Sequence, residues 1–549
     1  MRPVLIIQYG VAAVAVMLTV LVVCTFIVPF GAAVAPAFLE PGRFSAELVQ
    51  ARTLRTIVYT FHIAIGSTAV AVAVGMPTAF FMARRKFMFC PVLRAAAAVP
   101  LAVPALIVAL GFVASFGMNG MANRLLMAVF HIDHPPLTFL YSPRGVIIAQ
   151  GFYNFPLIAV IVADGWLKVP EVHRDAARLL GANETRIFFT ITLPALAGTV
   201  AAAVIPVFLY CFSSFLIVLL FGTVGGTTIE TEIYQAARTT LDFPRAAVLS
   251  LIEVSCSLGA VLLYNIVVRQ SAGYKKTVTA TPQIRACVGH APFQPLFWRI
   301  VEYGVFIIVM ALIALFFLFP LTGIVFGGFR DGSKTVAAVC TSVGFRRALA
   351  GSLRIAPMMA LLCCLTAFTA AAVLRTRDPD GKHVILQTVP LIPMALSSIV
   401  LGFGILRLAP TASPVMLICA ESAIAWPVAF RQLHAALMRI PQDSIDASRL
   451  LSPYHITTII RVYLPHTRTA MATSFGLCLA ISIGDTTLPL VISIPEFDTL
   501  ALYTYRLAGA YRFAAACTCG TVLLVLCTGI FALVKAADIS SRRTQRKQQ

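Results

Sequence analysis

The chain has 549 residues, of which 59% are hydrophobic and only 12% charged, and its mean hydropathy is +0.90. That balance excludes an ordinary soluble domain, where about a quarter of residues carry charge. The formal net charge of +20 is assigned to membrane topology and anionic headgroups rather than nucleic acid, because no basic motif interleaved with aromatics is present.

Taken in chain order, twelve apolar runs approach the ~20 residues that cross a hydrocarbon core. They lie at 5–30, 56–82, 93–117, 145–166, 197–221, 246–268, 301–326, 352–374, 384–406, 412–430, 469–493 and 513–535. Helices are expected for all of them, since lipid offers the backbone no hydrogen-bond partners. The first run is too long for a signal-peptide core and has no small-residue cleavage site, so it is read as a retained span. With the N-terminus cytoplasmic, internal segments hold 27 Lys and Arg and external ones 15, together the 42 of the chain. The clusters Arg84-Arg85-Lys86, Lys275-Lys276, Arg375/Arg377/Lys382 and Arg542-Arg543/Arg546-Lys547 all fall inside, as the positive-inside rule requires. Arg346, Arg347 and Arg354 run against it. The C-terminus is then cytoplasmic as well.

The chain reads as an internal duplication. Asp175-Ala176-Ala177, Gly181, Ile191 and Leu193-Pro194 recur at one constant offset as Asp446-Ala447-Ser448, Ser452, Val462 and Leu464-Pro465. Phe155-Pro156 recurs as Trp426-Pro427 at the same offset, and Val99-Pro100-Leu101 returns as Val389-Pro390-Leu391. A further proline follows each (Pro104, Pro393), then Gly111-Phe112 or Gly402-Phe403. Thr53-Leu54-Arg55 is matched with Ser352-Leu353-Arg354. Six spans per half return the chain to the same side, so the halves are parallel copies about an axis along the membrane normal. The expected division is 1–272, a cytoplasmic linker 273–298, and 299–549, with loops 170–194 and 441–465 on the cytoplasmic face.

Within those loops, Pro170 and Pro441 signal helix starts. Ala176, Ala177, Ala447 and Ser448 are small enough for another protein to approach closely. Gly181 suits a left-handed turn at a helix end. Ser452-Pro453 reads instead as an N-cap with proline in the first helical position. Leu193-Pro194 and Leu464-Pro465 are expected to mark where the next membrane helix begins. One such loop is an ordinary helical hairpin; two at one spacing and on one side suggest a docking surface.

This pattern resembles the EAA loop of ATP-binding-cassette importer permeases, with Asp175 and Asp446 in place of the family's usual Glu, and the resemblance covers both halves. It is similar to the fused permeases used for thiamine and for ferric iron. The stretches Gly226-Thr227-Thr228-Ile229-Glu230-Thr231-Glu232-Ile233-Tyr234-Gln235 and Thr499–Tyr505, with Gly484-Asp485 and Ala510-Tyr511-Arg512, look more like the thiamine type. The resemblance implies an all-helical permease of two six-helix repeats in a bacterial inner membrane. Its loops would dock two copies of a separate ATPase that carries ATP and Mg, and a periplasmic binding protein would deliver thiamine or its phosphates. Ferric iron is the alternative cargo. No cofactor is expected on this chain, and no enzymatic activity of its own. Ser448 and Ser452 depart from the family pattern, which puts the strength of the second docking site in question.

Ionisable residues inside a span are expensive and are candidates for function. Asp485, Glu253 and Glu421 qualify, with Asn154 and Tyr210 as polar neighbours. Carboxylates with aromatics suit a cationic heterocycle through charge and cation–π attraction; for Glu253 and Glu421 the simpler alternative is pairing with a polar group of another helix. A secondary transporter would share the twelve spans and the repeat but would have no use for a docking loop. Most of the thirteen cysteines, among them Cys24, Cys211, Cys256, Cys363 and Cys419, sit in apolar runs as small hydrophobes. Cys517 and Cys519 are too close in sequence to share a helix face. The stretch Gly327–Thr335 is like a phosphate-binding loop but has an extra Ser before Lys334 and follows a membrane span rather than a strand. His131, Asp133 and His134 lie in an external loop where solvation is the simpler reading than metal binding.

Overall fold

The computed structural model describes residues 24–548 except 40, 89, 97–102, 223–225, 274–285, 288–295, 331, 379–388, 410 and 452–454. The chain is helical throughout its described spans. Among the described residues the strand pairing is a two-residue parallel contact, Arg85-Lys86 with Ala286-Cys287.

Nine helices among the described residues are long and apolar enough to span: Ala51–Arg84, Ala105–Phe130, Pro143–Trp166, Glu184–Phe212, Phe243–Val267, Arg299–Gly328, Val343–Thr376, Pro414–Leu437 and Phe513–Val534. The other three expected spans differ for identifiable reasons. The first lies mostly outside the described residues, where only Cys24–Leu39 is seen. The ninth is broken: a 3-10 segment Val389–Ala395 holding Pro390 and Pro393 precedes a short helix Ser398–Leu408. Proline has no N–H for the α ladder, so the run divides there. The eleventh forms the helix Leu464–Gly484, but His466 and Arg468 in its first turns lower its hydropathy. The helix of the third span likewise begins only after Pro104; Val99-Pro100-Leu101 fall outside the described residues.

Contacts divide the chain into two compact units, one of Ala51–Thr231 and Cys256–Gly327, the other of Met1–Gln50, Glu232–Ser255 and Gly328–Gln549. In the first, Ala51–Arg84 and Pro143–Trp166 pack along their lengths. A Cβ on Gly151 would sit 2.6 Å from Val70 Cγ1, so only glycine admits this approach. Ser67 Oγ donates to Gln150 Oε1 at 2.9 Å between the two helices. In lipid the hydrophobic effect gives no net gain between helices, so close packing of small residues and such bonds, worth about 0.6 kcal/mol each, carry the association. Helix Arg299–Gly328 packs in this same unit: Phe316 and Phe317 lie against Phe152 and Phe155 at 5.0 and 5.5 Å. Arg85 and Glu302 form a buried bidentate pair at 2.6 and 2.9 Å.

In the second unit, Val343–Arg377, Pro414–Leu437 and Leu464–Gly484 share a core of small and aromatic side chains, including Cys363, Ala367, Trp426, Phe430, Tyr463 and Cys478. Cys211, Cys363, Cys478 and Cys527 are free thiols, as are Cys517 and Cys519, all of them buried.

The structure also corrects the register of the repeat at the second span. Leu500 N–H donates to Ser352 Oγ at 2.8 Å. Ile229, the equivalent of Leu500 at the offset of the loops, donates its N–H to Thr60 Oγ1 at 2.9 Å. Thr60, not Thr53, is therefore the partner of Ser352, and the offset here is longer than that of the loops. The helix starts agree, since Ala51 and Val343 stand as far apart in the chain as Thr60 and Ser352.

Candidate functional site

The first repeated loop opens with a helix, Glu171–Leu179, that buries none of its residues. Pro170 precedes it in an extended conformation, as a helix start favours. It ends in a Schellman turn: Ala182 N–H donates to Ala177 O at 3.0 Å and Gly181 N–H to Arg178 O at 2.9 Å, with Gly181 at φ +82°. Asn183 then caps the following helix, its side chain accepting from Arg186 N–H at 2.8 Å. Asp175 is exposed and receives Arg178 at 2.7 Å, while Arg178 Nε reaches Glu184 at 2.6 Å. The hydrogen bond that Arg178 donates to Glu184 chiefly holds its guanidinium above its usual range. Arg174 is half-sunk beneath the helix; burial first, and the neighbouring Arg84 and Arg178 next, bring its guanidinium down to about 10.

The second loop carries the helix Gln442–Leu451. Asp446 accepts from Gln442 Nε2 at 3.1 Å. Ser448 Oγ lies 3.1 Å from Thr458 Oγ1, a contact alanine could not make. Ser452 and Pro453 lie outside the described residues. Ile445, which occupies the position of Arg174, is 1% exposed within the unit's core.

Both loops are tied to the helix of the preceding second span. Arg84 Nη1 donates to Glu171 at 2.6 Å. Arg375 Nη2 donates to Gln442 Oε1 at 3.1 Å and to Ile440 O at 3.3 Å. Glu171 and Gln442 are equivalent by the offset of the repeated loops.

Two features went unnoticed in the sequence. Leu179 and Leu180 are 89% and 88% exposed, and their equivalents Leu450 and Leu451 are both 89% exposed. Two unsupported leucines in each loop form an apolar tip; the signal was the Leu-Leu pair recurring at the offset of the loops. The second is a π-helical turn, Phe188–Thr192 in one copy and Ile459–Tyr463 in the other. The α-helices Leu193–Phe212 and Leu464–Gly484 begin at the Leu193-Pro194 and Leu464-Pro465 pairs, each continuing directly from its π turn. In the first half the helical run extends back through the π turn to Glu184, and the π turn leads into proline, which lacks the N–H an α turn would use there.

Of the membrane residues, Glu421 and Asp485 are neighbours that act on one another electrostatically. Glu421 is 2% exposed and accepts from Ser482 Oγ. Asp485 accepts from Thr487 N–H at 2.9 Å and Leu488 N–H at 3.4 Å, so it caps the short helix Thr487–Ile492. Glu253 is buried on the helix Phe243–Gly273. Asn154 is buried and donates to Gln150 O at 3.0 Å and to Cys211 Sγ at 3.6 Å, while Tyr210, the neighbour of Cys211 in the chain, is 40% exposed. Tyr234 and Tyr505, equivalent by the same offset, lie near enough to interact electrostatically. Gly332 ends its turn at φ +88° ahead of the helix Ser333–Thr341. Among the described residues no group of three or more His, Cys, Asp or Glu, His131, Asp133 and His134 included, is arranged to hold a metal.

The family of binding-protein-dependent transport system inner membrane components matches residues 75–272 and again 383–540. The chain is 26% identical over 492 residues to the thiamine transport system permease protein of Escherichia coli (strain K12), covering 87% of this chain and 88% of that one. It is 27% identical over 507 residues to the protein of the same description from Brucella abortus (strain 2308), 88% of each. The Haemophilus influenzae protein of that description is 26% identical over 540 residues, 93% and 94% of the two chains. A solved bacterial ABC transporter involved in import of the acidic polysaccharide alginate contains a chain covered in full by half of this one, with a TM-score of 0.39 and 16% identity. With its domain present twice in a multi-pass helical chain, the protein belongs to the inner membrane components of binding-protein-dependent transport systems, as a fused ABC importer permease.

Proposed function

We propose that this permease imports thiamine, or its phosphates, across the inner membrane with both termini in the cytoplasm. The observation that carries the substrate is the similarity, along nearly the whole chain, to permeases described as thiamine transporters. Two copies of a separate ATPase, binding ATP and Mg, dock on loops 170–194 and 441–465, and a periplasmic binding protein delivers the cargo.

The geometry supports a division of labour in each loop. Exposed Leu179-Leu180 and Leu450-Leu451 supply apolar area to a soluble partner, about 25 cal/mol per Å² buried. Asp175 and Asp446 stand beside them. The Arg84–Glu171 and Arg375–Gln442 bonds join each loop helix to a long membrane helix, so a displaced loop pulls that helix. Closure of the ATPase pair draws the loops together and opens the path outward; hydrolysis reverses this.

The test is uptake into vesicles holding this chain, its ATPase and its binding protein, with labelled thiamine compared against labelled ferric iron. ATP-dependent uptake of thiamine alone is expected. Uptake of iron alone would keep the architecture and discard the substrate.

A further inference from the structure

The two halves differ where a charge matters most. Glu421, Ser482 and Asp485 of the second half correspond, at the offset of the repeated loops, to Gln150, Cys211 and Ser214. The first-half set is neutral, and Gln150 is held by Ser67 Oγ at 2.9 Å. The second-half set joins two carboxyl-bearing residues through Ser482, whose Oγ donates to Glu421 and whose carbonyl accepts from Asp485 N–H at 3.2 Å. Among the described residues neither acid stands in an ion pair with Lys, Arg or His.

Their surroundings leave polar capacity unused. Glu421 is 2% exposed, and while one of its oxygens accepts from Ser482, Oε1 has no hydrogen-bond partner. Thr486, fully buried beside Asp485, has an unpartnered Oγ1. Asp485 has its charge met by two backbone N–H groups at a helix start, but Glu421 has a single hydroxyl. A buried acid with an unmatched oxygen next to a second acid is costly as a carboxylate unless it takes up a proton or a positive charge comes to it. Structural pairing, the simpler role for a membrane acid, accounts for Asp485 as a cap and leaves Glu421 without a reason.

We infer that Glu421, with Asp485 near it, is the counter-ion site for an organic cation crossing the second half of the permease, and that the equivalent positions Gln150 and Ser214 of the first half contribute no such charge. This rests on the thiamine reading, since thiamine carries a fixed positive charge. The role is confined to these positions of one half because, of the two equivalent sets, only that of the second half holds carboxylates.

The experiment compares wild type, Glu421→Gln and Glu421→Asp in the complete transporter, with its ATPase and binding protein, in vesicles. Labelled thiamine imported per ATP hydrolysed is the readout. Glu421→Gln, which keeps the shape and removes the charge, is expected to lower that ratio at least tenfold, and Glu421→Asp to recover part of it. An unchanged ratio in Glu421→Gln overturns the inference alone. So does equal loss of assembly and of ATP hydrolysis in both variants, which would make Glu421 a packing residue. A wild-type complex that hydrolyses ATP but imports no thiamine overturns the substrate reading, and this inference with it.

Discussion

Glu171 accepts a 2.6 Å hydrogen bond from Arg84, on the helix of the second span. The equivalent bond of the second half joins Arg375 to Gln442, so a carboxylate and a carboxamide do the same work. Glu171→Gln should therefore keep most transport, losing the charge but not the acceptor. Glu171→Ala, which leaves the Arg84 guanidinium short of an acceptor, should cost about 1–3 kcal/mol in loop attachment. Thiamine uptake by the two variants, normalised to membrane yield, checks this; equal loss in both would deny the bond its role.

Gly181 stands at φ +82° with open space around its absent Cβ, so a substitution there meets strain and no clash. Gly181→Ala should cost about 1 kcal/mol in the Schellman turn and lower binding-protein-stimulated ATP hydrolysis. Gly181→Asp, which adds charge at the loop tip, should uncouple hydrolysis from uptake more completely. Both should leave membrane insertion intact, as measured by yield and protease resistance. Ala177→Arg is expected to behave like Gly181→Asp, since a long charged side chain would hold the ATPase off.

The exposed leucines make a sharper prediction about partner binding. Leu179→Asp with Leu180→Asp should weaken copurification of the ATPase, and the four-fold variant that adds Leu450→Asp and Leu451→Asp should abolish it. Each leucine side chain buried at an interface contributes about 1.5–3 kcal/mol. Wild-type recovery of the ATPase with the four-fold variant would move the docking surface elsewhere.

Arg174 and Ile445 occupy equivalent positions in different surroundings. The burial that lowers the Arg174 guanidinium to about 10 disfavours its charge, and Ile445 shows that the position accepts an aliphatic side chain. Arg174→Ile should change thermal stability little. Ile445→Arg would place a charge in the buried apolar cluster that holds Ile445 and should destabilise by several kcal/mol. Melting of the purified permease in detergent distinguishes the two; a harmless Ile445→Arg would mean that the loop helix does not seat on this core.

The sequence by itself determined the class, the duplication and the position of both loops. Apolar runs of membrane length dictate helices whatever packs around them, and the constant offset between the loops is a property of the chain alone. Sequence also determined that Gly181 would end a helix, because only a local backbone preference is involved. Tertiary structure decided what depends on neighbours. Thr60 rather than Thr53 matches the role of Ser352, since register along a long helix is set by the distant segment it touches. The π turns before Pro194 and Pro465 arise from a missing backbone donor inside a helix that composition alone would start later. Leucine is a core residue by type, and only packing shows that among the described residues nothing covers Leu179 and Leu450. Of the three membrane acids, folding set Glu421 beside Asp485, because proximity between residues on different helices is fixed by side-chain packing, which one-dimensional spacing does not encode.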